Sequence, residues 1–419
     1  MKQSDKPNSR TRFQVIGVSP YLISGAQGHY ESFHKALYKG LQINGQIETP
    51  LYLGSRKTKL NIENWYLPVV PSRLTSKFKV ADLKYFRTLS ELASPNTGNS
   101  MKLFVTYEGG LFTVFLFSAL LRLQPKAAAI VNIFGNQQHA NLFESKFKTR
   151  LFKILLNIAI SGVENRLVLT GDTLRFASKM QKSTGIAIEL FPMFSILQPS
   201  RIDAKKSTEF LINLRGVYSA DKLLEVCEIV GNQNLPKISV HGPIPKTIKM
   251  ALAQFDSLEY SEGHISENDY QTMFYKYENV IFLYNPASFS YCSSGRLFDA
   301  IIAGSKLIVP SNTSLSDFAK VYGYASEFDF CASTELVDIL LGKGEFSYRS
   351  DAPLPTVQNA TESLILLAEK CQKRERSKSF SVKFWIVVAV GWCLSVTGYA
   401  LSAVKYKTKN RVLSTLVRK

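Results

Sequence analysis

Tyr291-Cys292-Ser293-Ser294-Gly295-Arg296-Leu297-Phe298-Asp299-Ala300-Ile301-Ile302-Ala303-Gly304-Ser305-Lys306-Leu307-Ile308-Val309-Pro310 reads as a loop, a helix and a strand. Ser293, Ser294 and Gly295 are small, and they place backbone N–H groups at a helix start, a ready anion site. Leu297, Ala300 and Ile301 follow at i, i+3 and i+4, the spacing of one buried helix face. Gly304 stands where a left-handed residue closes a helix. Leu307-Ile308-Val309 is wholly apolar, as in a strand buried on both faces of a parallel sheet. A helix N-terminus beside such a sheet is where phosphates bind in doubly wound folds. Small-residue loops also precede helices that bind nothing, so the local pattern alone leaves both readings open.

The same alternation of strand, polar loop and helix occurs in each half of the chain. In the second half, Glu209–Leu214 reads as a first strand, followed by Arg215-Gly216 and a helix over Ala220–Val230. Lys237–Val240 with His241-Gly242, Leu258–Tyr260 with Gly263–Ser266, and Val280–Tyr284 continue it. In the first half, Phe13–Val18 is a strand that runs into the glycine-bearing loop Ser24–Tyr30 and a helix over Glu31–Leu41. The glycine spacing of that loop is not the Gly-x-Gly-x-x-Gly of a dinucleotide site. Lys102–Tyr107 and Ala127–Ile133 are further strands, with Leu111–Leu123 a buried helix too short to cross a bilayer. Asn165–Thr170 is a strand before the helix cap Gly171-Asp172-Thr173, and Leu190-Phe191-Pro192 closes the half. The expected fold is α/β, two Rossmann-like doubly wound domains with a central cleft.

Loops at the carboxyl ends of parallel strands build such a cleft. His139, in the polar tip Phe134–His139, is a candidate base, because a neutral-range pKa suits proton removal from a hydroxyl. A capping or surface histidine is the plain alternative, and Glu108, also after a strand, is the rival base.

Ser294–Pro310 resembles the donor-binding segment of glycosyltransferases with the GT-B fold. The resemblance extends across the second half, through Arg215, Gly242 and the Gly263–Ser266 turn. It implies that Ser293, Ser294 and Gly295 hold a nucleotide diphosphate and that Asp299 holds the ribose hydroxyls. It implies that Arg215 and Lys222 neutralise the diphosphate, and that Gly25, Gly28 and His29 face the cleft in the first domain. The common form of that family carries two glutamates eight positions apart, where this chain has Tyr291 and Asp299. Lys222 stands about two positions later than the family's lysine. No Asp-x-Asp pair occurs, so the expected transfer uses no metal or cofactor, with Arg, Lys and a helix dipole meeting the leaving-group charge.

Lys and Arg total 51 against 33 Asp and Glu, a net charge of +18, which suggests a phosphate-bearing substrate, an anionic membrane or nucleic acid. Much of the excess flanks the uncharged run Phe384–Val404, which leaves nucleic acid without a motif. That run has the roughly 20 residues a transmembrane helix needs. Phe143–Ile160 is a second amphipathic stretch: Phe143, Phe147, Leu151, Ile154, Leu155 and Ile158 share a face, interleaved with Lys146, Lys148, Arg150 and Lys153. It suits a membrane interface or, the commoner case for a single helix, a core-facing helix with a solvated basic side. Five cysteines without paired spacing read as reduced thiols, and the polar start lacks a secretory signal.

The expected organisation is a disordered tail over 1–12, an N-terminal acceptor domain over 13–193, a hinge over 194–207 and a C-terminal donor domain over 208–369. A basic linker over 370–383, a transmembrane helix over 384–404 and a basic tail over 405–419 follow. The expected function is a membrane-anchored glycosyltransferase with its catalytic domains in the cytosol of a bacterial cell. It would move a sugar from a nucleotide-sugar donor to a lipid-linked or polysaccharide acceptor. The alternative is a non-catalytic, transferase-like protein that binds nucleotide or glycan and supports a partner at the membrane.

Overall fold

The computed structural model describes residues 13–18, 30–43, 47–53, 65–66, 80–94, 101–133, 143–191, 193–197, 199, 206–213, 219–232, 237–242, 244, 246, 249–250, 253, 258–261, 266–332, 334–348 and 353–372. The terminal segments 1–12 and 373–419, including Phe384–Val404, lie outside these residues. None of the described helices is long and apolar enough to cross a membrane.

The first half runs β1 (Phe13–Val18), α1 (Tyr30–Ile43), β2 (Ile47–Leu53), β3 (Trp65–Tyr66), α2 (Val80–Ala93), β4 (Met101–Gly109) and α3 (Leu111–Leu123). It continues with β5 (Ala127–Ile133), α4 (Lys146–Ile160), β6 (Leu167–Gly171), α5 (Leu174–Thr184) and β7 (Glu189–Leu190). Its strands form one parallel sheet in the order β3-β2-β1-β4-β5-β6-β7. The second half runs β8 (Ser207–Asn213), α6 (Ala220–Asn232), β9 (Ile238–His241), β10 (Leu258–Ser261), α7 (Glu267–Lys276), β11 (Tyr277–Ile281) and α8 (Pro286–Phe289). Then come α9 (Gly295–Ile302), β12 (Lys306–Pro310), α10 (Ser314–Tyr322), β13 (Tyr324–Phe328), α11 (Thr334–Leu340), β14 (Ser347–Tyr348) and α12 (Val357–Gln372). The second sheet repeats the order of the first, β10-β9-β8-β11-β12-β13-β14, with only β14 antiparallel. In both sheets the order reverses beside the first strand of the half, which opens a crevice at the strands' carboxyl ends.

The central strands explain the layering. Every residue of β5, Ala-Ala-Ala-Ile-Val-Asn-Ile, is buried, as a strand covered by helices on both faces must be. One face packs Phe104, Ala129 and Val131 against α3, α4 and α5. The other packs Phe13, Val15, Leu103, Val105 and Ile130 under Leu37 and Leu41 of α1 and under Ala360, Leu364, Leu367 and Ala368 of α12. The last described helix therefore crosses back to complete the first domain's core, although sequence order places it with the second. In the segment read as the hinge, Phe194, Ser195 and Leu197 are buried, and the Ser195 amide donates to Pro355 O at 2.8 Å. Beyond β12, β13 and β14 extend the second sheet.

Candidate functional site

Helix α9 is held rigidly from below and left open at its start. Leu297, Phe298, Ala300 and Ile301 are buried in the second domain's core. Its end is a Schellman closure: Gly304, at φ 68°, donates to Ile301 O at 2.9 Å, and Ser305 N–H donates to Ala300 O at 3.0 Å. At its start Ser294 is extended (φ −135°, ψ 119°) and makes no side-chain cap bond. Leu297 N–H turns back to Ser294 O at 3.1 Å. Among the described residues, the amides of Gly295 and Arg296 donate to no acceptor. Gly295 is exposed and Arg296 half-buried, so an incoming anion can reach both. The Arg296 guanidinium donates one N–H to the Tyr284 hydroxyl at 3.2 Å.

The loop before α9 is clamped to the turn that follows β6 in the other domain. Asp172 accepts from both the Ser293 amide (3.2 Å) and the Ser293 hydroxyl (3.0 Å). Thr173 accepts from Phe176 N–H at 3.1 Å, capping α5, and its hydroxyl donates to Tyr291 O at 3.1 Å. The Tyr291 ring stands edge-on to Phe143 and Phe176, with centroids 5.8 and 6.2 Å away. Where the GT-B form carries its first glutamate, this chain thus has an aromatic wedge between domains. Two residues after Thr173, Arg175 makes a bidentate pair with Asp317 of α10 at 2.8 and 2.9 Å, and donates to Asn312 O at 2.7 Å. The Asp317 hydrogen bonds raise the Arg175 pKa above its ordinary value. Cys292 lies in the same loop, and burial, helped by Asp172, pushes its thiol up to about 12, which keeps it protonated and non-nucleophilic.

The expected site residues divide into several groups. Ser294 and Gly295 stand at the open helix start; the Ser293 amide already serves Asp172, whereas the amides of Ser294, Gly295 and Arg296 have no acceptor among the described residues. Asp299 is only 3% exposed. Its carboxylate accepts from the Ser195 hydroxyl at 2.6 Å and the Tyr270 hydroxyl at 2.7 Å. It therefore fastens α9 to α7 and to the crossing segment. Lys222 is 6% exposed, pairs with Glu225 at 2.6 Å and lies 5.5 Å from the Phe330 ring centroid, so its ammonium is engaged inside the domain. Gly242 follows β9 with φ 130°, a conformation open to glycine. Beside it, burial and Lys276 hold His241 below the usual histidine range. Glu108 falls inside β4 and not after it, and its side chain lies outside the described residues, as do His139, Arg215, Gly25, Gly28 and His29. Asp172, Arg175 and Arg296 were not legible as site residues. The cap signal at Gly171-Asp172-Thr173 found the turn but not its partner across the seam.

No protein-family model matches the chain, and no curated protein sequence does. Solved structures do resemble it. A glycosyltransferase from Rickettsia africae is 10% identical, with a TM-score of 0.60 over 87% of this chain and 100% of that one. Anabaena Alr3699/HepE in complex with UDP is 11% identical, with a TM-score of 0.54 over 92% and 100% of the two chains. The N-terminal domain of Candida albicans trehalose-6-phosphate phosphatase is 11% identical, with a TM-score of 0.54 over 85% and 98%. At such identities the likeness is one of fold, and chemistry has to be argued from the site. With two parallel sheets of the same strand order, this chain has the two-domain Rossmann-like fold of the GT-B glycosyltransferases.

Proposed function

We propose that the protein is a glycosyltransferase that takes a sugar from a nucleoside-diphosphate donor. The observation that carries this is the open start of α9 beside the domain seam, with the Gly295 and Arg296 amides free of acceptors among the described residues. Those amides, the Ser294 hydroxyl and the helix dipole are disposed to meet a diphosphate whose charge grows as the glycosidic bond breaks. The fold supports the reading, since one neighbour of the same architecture holds UDP. Arg215 and Arg296 supply the cations, because Lys222 is committed to Glu225. His139 or Glu108 takes the proton of the acceptor hydroxyl, and Asp299 acts by fixing α9 in place. The uncharged run Phe384–Val404 anchors the chain in a membrane, with the two domains in the cytosol and a lipid-linked or polysaccharide acceptor.

A second reading is favoured by two particulars: the aromatic wedge at Tyr291 and the internal pairing of Lys222. Both remove groups that a transferase of this fold would use, and they suit a non-catalytic protein that binds nucleotide or glycan. A thermal-shift panel of UDP, GDP, ADP and dTDP on the full chain, followed by product analysis with the matching nucleotide sugars, separates the readings. One diphosphate is expected to raise Tm for wild type and much less for Arg296→Ala and Arg215→Ala. Stabilisation without sugar release or transfer favours the non-catalytic reading. No stabilisation by any diphosphate at millimolar concentration overturns the donor site.

A further inference from the structure

Helix α4 has two apolar faces, and only one of them is used inside the protein. Phe152, Leu156 and Ala159 are buried against the first domain's core. On the opposite side Phe147, Leu151 and Ile154, spaced i, i+4 and i+7, are 75%, 46% and 48% exposed. Of the face that the periodicity picks out as apolar, Phe143, Leu155 and Ile158 pack against the core and Phe147, Leu151 and Ile154 turn to solvent. Cations border it on both sides: Lys148 on one, and Lys146, Arg150 and Lys153 on the other, all exposed. The helix contains no acidic residue. Three large apolar side chains in one exposed row, rimmed by positive charge, are costly in water and complementary to a surface that is apolar below and anionic above.

We propose that α4 lies in the plane of a bilayer with anionic headgroups, with Phe147, Leu151 and Ile154 among the acyl chains and the four cations at the phosphates. The charge of the helix supports this occupant over a protein partner, because every charged residue of α4 is a cation, and a layer of anionic headgroups meets all four at once while the acyl region takes the apolar row. The inference stands apart from the transfer chemistry, because it uses none of the residues at the domain seam.

Photocrosslinking tests it on the full chain. The protein is reconstituted in phosphatidylglycerol-rich vesicles that carry a photoactivatable acyl chain, and adducts are mapped by peptide mass spectrometry. Adducts are expected within 147–154, several-fold more than in phosphatidylcholine vesicles. The variant Phe147→Ser/Leu151→Ser/Ile154→Ser should keep its Tm, since all three residues are exposed, and should lose those adducts. Absence of adducts within 147–154 in the anionic vesicles overturns the proposal, whether or not 384–404 is labelled, and leaves the stripe to a protein partner. Equal labelling in both lipids overturns the role of the cations.

Discussion

Asp299 shows how a residue can sit at a site's position in sequence and act one layer beneath it. Its carboxylate is buried and accepts from Ser195, 104 positions earlier, and from Tyr270, 29 positions earlier. Burial, and then the Asp299 charge, raise the Tyr270 pKa well above the ordinary value, so that hydroxyl stays a donor at any working pH. Asp299→Ala should therefore cost about 2–4 kcal/mol of stability, because it leaves two buried hydroxyls without their acceptor. Asp299→Asn, which keeps one oxygen acceptor, should cost less. Urea denaturation of both variants and of Tyr270→Phe checks this, and an Asp299→Ala chain as stable as wild type would sink it. Those partners were not legible in the sequence, since nothing local to Asp299 indicates which distant hydroxyls burial will bring to it. The small residues before α9 were legible, because a helix start needs them there whatever lies opposite. The assignment of the Ser293 amide was not, since it depends on Asp172 in another domain.

At the scale of elements, α9 is stabilised from both ends, and the far end offers a test of charge. The Lys206 ammonium donates to Ala303 O and to Ser305 Oγ, where the last turn of the helix presents unpaired carbonyls. Burial lowers its pKa from 10.5 to about 8, with Glu278 acting in the opposite direction. Below pH 8 the folded and unfolded chains both carry the proton, and the cost of burying the charge is present in full. Between pH 8 and 10.5 the unfolded chain binds the proton and the folded one has released it, so this residue's contribution to stability rises with pH. The Tm of wild type minus that of Lys206→Met should climb across that interval, and a flat difference would show that the ammonium is not desolvated. The elements themselves were legible wherever an apolar run exceeded a few residues, as in β5 and β12. The edges were not. β3, β7 and β14 are each two residues long, β2 contains Pro50, and β13 mixes Ser and Glu with its apolar residues, so none carries a strand's full pattern. The domain to which α12 belongs was hidden for another reason: an amphipathic helix declares that it has a buried face, but not which sheet will cover it.

Across the whole molecule, the seam joins two copies of one topology through a few side chains of the turn after β6. Asp172, Thr173 and Arg175 come from the first domain, and Tyr291, Ser293, Asn312 and Asp317 from the second. The Asp172 and Thr173 contacts fall on the loop before α9, and Arg175 holds the start of α10, whose Ser314 donates to Cys292 O of that loop, so the approach of the domains and the order of the loop are coupled. The Arg175–Asp317 pair is about one-third exposed on each side and contributes about 1 kcal/mol or less to global stability. Its larger effect should be on geometry, because a bidentate guanidinium fixes direction as well as distance. Arg175→Ala is therefore expected to leave Tm within a few degrees of wild type while increasing the radius of gyration measured by small-angle scattering. It should also weaken binding of whichever diphosphate stabilises wild type, since a loosened seam leaves Ser293, and with it the start of α9, less restrained. Lys should not restore the wild-type values at this position, because a single ammonium cannot make the forked contact. An Arg175→Ala chain with unchanged scattering and unchanged diphosphate affinity would mean that α12 and the Ser195–Asp299 contact hold the domains by themselves, and that the ion pair only decorates a seam already fixed.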